Sequence, residues 1–483
     1  MGSGRALLNI VVRSRRDAAA VEAMISRFYS EWDIRVYTLR GARRGEDMLN
    51  ELESFVDREQ FYYVLLGRED REAASYLAEY APRNVFVHVV PRARVRNARI
   101  EHIAYEFLVA RSIPRLSTRW REEDKSYLFL GREGYRLEGL DFDPGYDLFW
   151  GLGWFSRLSS QLVGGKLPKN PLVLRRRLGE HFIYSGWRVL AKLFIDDNSS
   201  RPAGEYAGSD SDYSLDVDLK KVVEVNKDVL LLYEKVASAL LRSLGDFDTI
   251  IVPWSGGKDS TATLLVALEV FGRSRIHVVY GDTGTEFPLS RSYVYKIAEK
   301  LKIDFVEAYA GIDKVLEAGV APMPTHDNRW CTGMKVDSIE NTIKKLADGR
   351  TLIIVGDRDA ESPRRAMRPY IRKGPVENSV IATPIREWSG ALVQLYIVYK
   401  GLPLNPMYEY GFYRIGCYMC PALRSWEVFL MTANFRLHSQ LSKSKIFQEF
   451  IKLRLAGQKV KQNKVRFTCS LSDEKLGFSV CGG

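Results

Sequence analysis

One junction constrains this chain more than any other. An apolar, β-branched run at 248–254 passes directly into Ser255-Gly256-Gly257-Lys258-Asp259-Ser260, and a helical pattern at 261–271 follows. Strand, tight glycine turn and helix start, in that order, build a cradle for an oxyanion. The two glycines let backbone N–H groups turn inward, and the helix N-terminus adds partial positive charge. The hydroxyls of Ser255 and Ser260 can donate directly, and Lys258 supplies a mobile cation. The spacing Gly-x-x-x-x-Gly-Lys-Ser/Thr is absent, which disfavours a GTPase or a motor ATPase. Residues 255–260 are therefore the candidate nucleotide- and phosphate-binding loop of a parallel α/β sheet.

The rest of the chain is organised around this junction. Its 483 residues, 46% hydrophobic and 27% charged, suit two or three globular domains and exclude a disordered chain. Apolar runs at 7–12, 34–39, 61–66 and 84–90 alternate with helical patterns at 18–29, 46–56 and 71–80, predicting a small α/β domain over 1–119. No glycine loop follows these strands, so the domain reads as a supporting or partner-binding module. Residues 120–195 turn to Gly and aromatic residues with a basic cluster at Arg175, Arg176 and Arg177, predicting a small β-rich module compatible with RNA contact. Ser, Gly and Pro in an acidic background at 196–217 predict a linker. The loop-bearing domain then spans 218–431, and a basic extension with a cysteine tail spans 432–483.

Net charge +11 would draw a polyanion or an anionic metabolite. No run approaches eighteen consecutive apolar residues and no signal-peptide pattern opens the chain, so a cytoplasmic, membrane-free protein with reduced thiols is expected. Its five cysteines, all at or after Cys331, exclude a disulfide scaffold and point to a site.

Several segments, in order, resemble the PAPS reductase family of the PP-loop, adenine nucleotide α-hydrolase-like enzymes. Residues 255–260 have the PP-loop form. Tyr280-Gly-Asp-Thr-Gly-Thr-Glu-Phe-Pro288, Arg329-Trp-Cys-Thr-Gly-Met-Lys335 and Gly356-Asp-Arg-Asp-Ala-Glu-Ser362 with Arg364 and Arg365 are similar to three further family segments. Pro384-Ile-Arg-Glu-Trp388, the stretch 402–408 and Tyr413-Arg-Ile-Gly-Cys-Tyr-Met-Cys-Pro421 complete the likeness, which covers about 219–431. The resemblance implies a Rossmann-like sheet binding an adenine nucleotide (APS, PAPS or ATP). Asp282 and Glu286 would form an acidic turn beside the loop, with Asp282 holding Mg²⁺ or a ribose hydroxyl, or serving as an ordinary turn residue. Arg358, Arg364, Arg365 and Arg368 would fork onto phosphate or sulfate oxygens, or sit as surface charges.

Cys417-x-x-Cys420 is a tight two-thiol corner, and Cys331 lies in a segment where the family carries cysteine. Together they suggest a [4Fe-4S] cluster ahead of zinc, with Cys469, Cys481 or His326 as a fourth ligand and a redox dithiol as the plain alternative. Cluster-bearing APS reductases have a cysteine pair at the first position, whereas here Thr332 follows Cys331. In the family's C-terminal Glu-Cys-Gly-x-His segment the cysteine is the nucleophile. This chain ends Phe478-Ser-Val-Cys481-Gly-Gly483, so only Cys-Gly is shared, and Cys481 is either a nucleophile or an inert terminus.

Two activities follow. The first releases sulfite from APS or PAPS, with Lys258 and Cys481 as catalytic residues and a dithiol donor such as thioredoxin, in a monomer or homodimer. The second is ATP-dependent thiolation of tRNA or another RNA, in which a base oxygen attacks the α-phosphorus and a cluster supplies sulfur. A basic run from Lys443 to Arg466 favours the second. A nucleotide-sensing subunit without turnover is the non-enzymatic alternative.

Overall fold

The computed structural model describes residues 8–197, 199–208 and 215–456. The four early apolar runs become β1 (Leu8–Val12), β2 (Ile34–Thr38), β3 (Tyr62–Leu66) and β4 (Val85–Val89), all parallel, in the order β2-β1-β3-β4. Side chains alternate between faces, as the pleat requires. Ile10, Val12, Tyr63 and Leu65 face Val21, Met24, Ile103 and Phe107 of the helices Arg15–Phe28 and Ile100–Ala110. Val11, Tyr62, Val64 and Leu66 face Met48, Leu52, Ala73 and Leu77 of the helices Gly45–Glu53 and Arg71–Tyr80.

The middle of the chain forms two antiparallel sheets. The three-stranded one joins β5 (Thr118–Arg121), β6 (Ser126–Phe129) and β7 (Tyr135–Arg136). The five-stranded one runs from β8 (Asp147–Trp150) through β9 (Leu172–Arg175), β10 (Glu180–Ser185) and β11 (Arg188–Phe194) to β12 (Ala203–Tyr206). Two features depart from the sequence reading. The helix Trp154–Val163 sits inside the β-rich module, ended by Gly164 at φ +71°. Within the expected linker, Ala203–Tyr206 is an edge strand paired with β11, because Glu205 and its neighbours need bury only one side.

The loop-bearing domain is a six-stranded sheet of β13 (Thr249–Trp254), β14 (Ile276–Asp282), β15 (Phe305–Tyr309), β16 (Thr351–Ile354), β17 (Ile371–Lys373) and β18 (Ser379–Ala382). The order is β15-β14-β13-β16-β18-β17, parallel except for β17. The chain reverses its winding between β13 and β16, the crevice where ligands of open α/β sheets bind. The fold class expected from the sequence is the one found. The basic extension, however, begins as packed structure: Leu437, Leu441, Ile446, Phe447 and Phe450 of the helices Phe435–Leu441 and Lys445–Ala456 join a buried cluster with Phe412, Tyr418 and Trp426. Among the described residues no helix is long and apolar enough to cross a membrane.

The modules share one interface. At the amino end of the first sheet Phe61 meets Tyr233 of the helix Lys227–Ser243 with ring centroids 5.3 Å apart. Trp32 meets Tyr370 at 5.7 Å. Arg111 and Arg386 both pair with the buried Asp359, and both guanidinium groups lie over the Trp32 ring. On β8, the Gln394 side-chain amide takes the place of a neighbouring strand, accepting from Trp150 N at 2.8 Å and donating to Trp150 O at 3.2 Å.

Candidate active site

The turn after β13 forms as its residues require. Gly256 sits at φ +72°, and a Cβ there would meet Val294 Cγ2 at 2.6 Å, so both backbone angle and space demand glycine. The Asn405 side-chain amide donates to Gly256 O at 3.0 Å, and Lys258 N donates to the Tyr408 hydroxyl at 2.8 Å. Ser255 and Ser260 hydroxyls lie 3.1 Å apart, and Ser260 Oγ donates to Gly257 O at 3.1 Å. The helix Lys258–Phe271 then begins, its first N–H groups pointing back toward the turn. From the far side Gly356 closes the crevice: a Cβ there would meet Asp259 O at 2.8 Å.

Two expected ligand-binding cations are committed elsewhere. Lys258 is buried, with Nζ on Asp259 Oδ2 at 2.8 Å. Arg358, expected on a phosphate or sulfate, is only 3% exposed. Its Nε bonds Asp259 Oδ1 at 2.6 Å, and its Nη1 bonds Asp147 Oδ2 at 2.9 Å and Trp388 O at 3.2 Å. Burying these charges requires such pairing. Burial alone would raise the Asp259 carboxyl, but Arg358 and Lys258 outweigh it and hold the group at about 2. Arg365 pairs with Glu361 and lies 3.4 Å from Asp357, which also meets Arg368 at 3.4 Å and Arg372 at 3.2 Å. Arg364 is exposed. Of the carboxylates that claim these cations, Asp147 escaped the sequence reading. Asn405 and Tyr408 lay within a matching stretch, whereas Asp147 carried no local signal.

The acidic turn lies at the end of β14. Asp282 is buried and Oδ1 accepts from Gly284 N at 2.8 Å, a turn role, while Oδ2 lies 3.2 Å from Arg291 Nη2. Glu286 Oε1 accepts from Thr283 Oγ1 at 3.0 Å and lies 3.8 Å from Lys335 Nζ. The cysteine corner meets this turn: Thr283 Oγ1 is 3.2 Å from Cys417 Sγ, and Tyr418 N donates to Thr285 O at 3.1 Å. Burial, reinforced by Glu286, pushes the Cys417 thiol up to about 12, and burial with Cys420 raises that of Cys331. Both therefore keep their protons near neutral pH and are weak nucleophiles.

Cys331, Cys417 and Cys420 all pack against the same buried cluster. Yet among the described residues no three His, Cys, Asp or Glu side chains are grouped to hold a metal ion, so the expected [4Fe-4S] or zinc site and Mg²⁺ on Asp282 draw no support from these residues. Cys417 Sγ meets the Thr283 hydroxyl, Asp282 accepts from Gly284 N, and His326 lies exposed in the 321–329 loop. Cys469 and Cys481 lie outside the described residues.

Residues 249–423 match the family described as the phosphoadenosine phosphosulfate reductase domain. Over 247 residues the chain is 32% identical to an uncharacterized protein of Methanocaldococcus jannaschii, covering 50% of this chain and 49% of that one. It is 27% identical over 150 residues to the adenosine 5′-phosphosulfate reductase of Deinococcus radiodurans, covering 30% of this chain and 56% of the relative. The solved phosphoadenylyl-sulfate reductase of Candida auris, in a phosphate complex, aligns over 43% of this chain and 99% of that one at 17% identity and a TM-score of 0.33. The chain thus spans about half the length of the curated relatives it matches.

Proposed function

We propose that this protein, whose residues 249–423 match the phosphoadenosine phosphosulfate reductase domain family, binds an adenylyl sulfate, APS or PAPS, at residues 255–260 and releases sulfite from it. The observation that carries this reading is the Ser-Gly-Gly turn at the winding reversal, fixed from below by Asn405 and Tyr408 and open at Ser255, which is exposed. An anion there meets the hydroxyls of Ser255 and Ser260 and the N–H groups of the helix start. Lys258 and Arg358 act through Asp259 to hold that helix start in place.

The nucleophile proposed is Cys481. Its thiolate attacks the sulfate sulfur, the S–O bond to the phosphate breaks, and the nucleotide leaves with the electron pair on its phosphate oxygen. A dithiol such as thioredoxin then attacks the Cys481 sulfur and displaces sulfite. The two thiols supply two electrons and end as a disulfide. The test is anaerobic sulfite release from APS and PAPS with a dithiol. Cys481→Ser should abolish release while nucleotide binding persists, and Ser260→Ala should lower kcat/KM about 10–100-fold, the worth of a hydrogen bond to a charged group. No release from folded protein, with pyrophosphate formed from ATP in the presence of tRNA, would replace this reading with RNA thiolation.

A further inference from the structure

The first sheet carries a second surface that the sulfur chemistry leaves unused. Its amino end is closed: Leu8 and Phe61 line a small cavity with Val236, Leu240 and Ser243 of the loop-bearing domain. The four loops that follow β1, β2, β3 and β4 therefore emerge together at the opposite, solvent-facing edge, around the winding reversal between β1 and β3. Arginine dominates them. Arg15, Arg16, Arg43, Arg44, Arg68 and Arg92 are all exposed there and, among the described residues, form no ion pair.

Two acids of this edge, Asp17 and Asp70, are turned inward and hold the loops, while Glu46, Asp47 and Glu69 stay exposed, Glu69 paired with Arg94. Buried Asp70 bonds Arg13 at 2.6 Å. Buried Asp17 accepts from Arg96 N at 3.2 Å, which ties the loop after β4 to the helix Arg15–Phe28. Arg68 N donates to Arg92 O at 2.7 Å, and Gly41 N to Arg13 O at 2.8 Å, so neighbouring loops are joined through their backbones. Gly67 is needed for that approach, because a Cβ would meet Ala93 O at 2.1 Å. The free guanidinium groups therefore stand on a rigid frame.

Four strands at about 4.8 Å spacing make this edge about 15 Å wide before its loops are added, broader than one phosphate group needs. Beside it runs an open groove of about 640 Å³ along the unpaired side of β2, lined by Arg15, Arg40, Tyr37 and Phe55, with Glu22 and Glu51 on its wall. The Tyr37 and Phe55 rings stack at 4.6 Å and 7°. Arginines that fork onto phosphates, next to a half-buried aromatic pair, are the parts that bind a single strand of nucleic acid without reading its sequence. We propose that this edge binds the phosphodiester backbone of single-stranded nucleic acid, with bases resting against Tyr37.

The test is fluorescence anisotropy of the full chain with labelled RNA and DNA strands of about 20 nucleotides, from about 50 to 200 mM salt. Both strands should bind, and affinity should fall steeply with salt. Exchanging Arg15, Arg16, Arg43 and Arg44 for Gln should weaken binding at least about tenfold and lower the log–log salt slope by about 3, with an unchanged melting midpoint. Tyr37→Leu should weaken binding without altering the slope. Exchanging Lys443, Lys445 and Lys452 for Gln should leave both unchanged. Preference for RNA over DNA would place a ribose contact in the groove, and equal affinity would leave the backbone as the determinant. No binding of either strand at the lowest salt, full affinity in the four-arginine variant, or tighter binding of a duplex would overturn the proposal.

Discussion

Asp147 lies on β8, outside the family-matched segment, yet it fixes the far end of a buried chain of charges that runs through Arg358 and Asp259 to Lys258. Asp147→Ala would leave Arg358 buried with one carboxylate, a loss of about 3–5 kcal/mol that urea unfolding would read directly. A raised KM for nucleotide should accompany it, because the helix start loses its brace. The partners sit 211 positions apart, so no spacing rule connects them. That distance explains why Arg358 reads as a phosphate ligand in the sequence and as an internal ion pair in the fold. Glu387 shows the same limit. Burial and the nearby Asp359 push its carboxyl up to about 8, while the Tyr63 hydroxyl donates to it at 3.3 Å. The folded protein therefore holds a proton that the unfolded chain has lost, and stability should fall as pH rises from about 4.5 to about 8. Glu387→Gln should flatten that part of the stability–pH curve, and an unchanged slope would disprove the assignment.

At the level of elements, strand, turn and helix at 249–271 were legible because each local preference agrees with its neighbours: β-branched residues, paired glycines, then an apolar helix. Gly256→Ala tests the turn. Its φ of +72° and a Cβ 2.6 Å from Val294 Cγ2 should together abolish nucleotide binding in titration calorimetry. Adding Val294→Ala relieves only the clash and should restore part of the affinity. The short elements were harder to read. The helix Trp154–Val163 begins beside glycines and aromatic residues that favour strands or turns, and its place comes from Phe155 and Leu158 packing into the second buried cluster. β12 is too short, and too exposed on one side, for alternation to stand out. The cysteine corner was legible as a motif, but its chemistry depends on Thr283 and Glu286 from another element.

Across the molecule, the modules read as separate along the chain are joined by buried contacts with little room for water. Trp32, Arg111, Tyr63 and Phe61 of the first module meet Tyr370, Asp359, Glu387 and Tyr233 of the last. A fragment of 218–456 would expose this apolar surface and leave Asp359 and Arg358 each short of a partner. It should express as aggregate, whereas the chain to residue 456 should be soluble by gel filtration. The order of these contacts along the chain also sets a waiting time. Arg111 and Asp147 leave the ribosome long before their partners, with separations of 248 and 211 residues. At about 5–20 residues per second the first two modules stay incomplete for about 10–50 s of synthesis, with charges destined for the interior still hydrated.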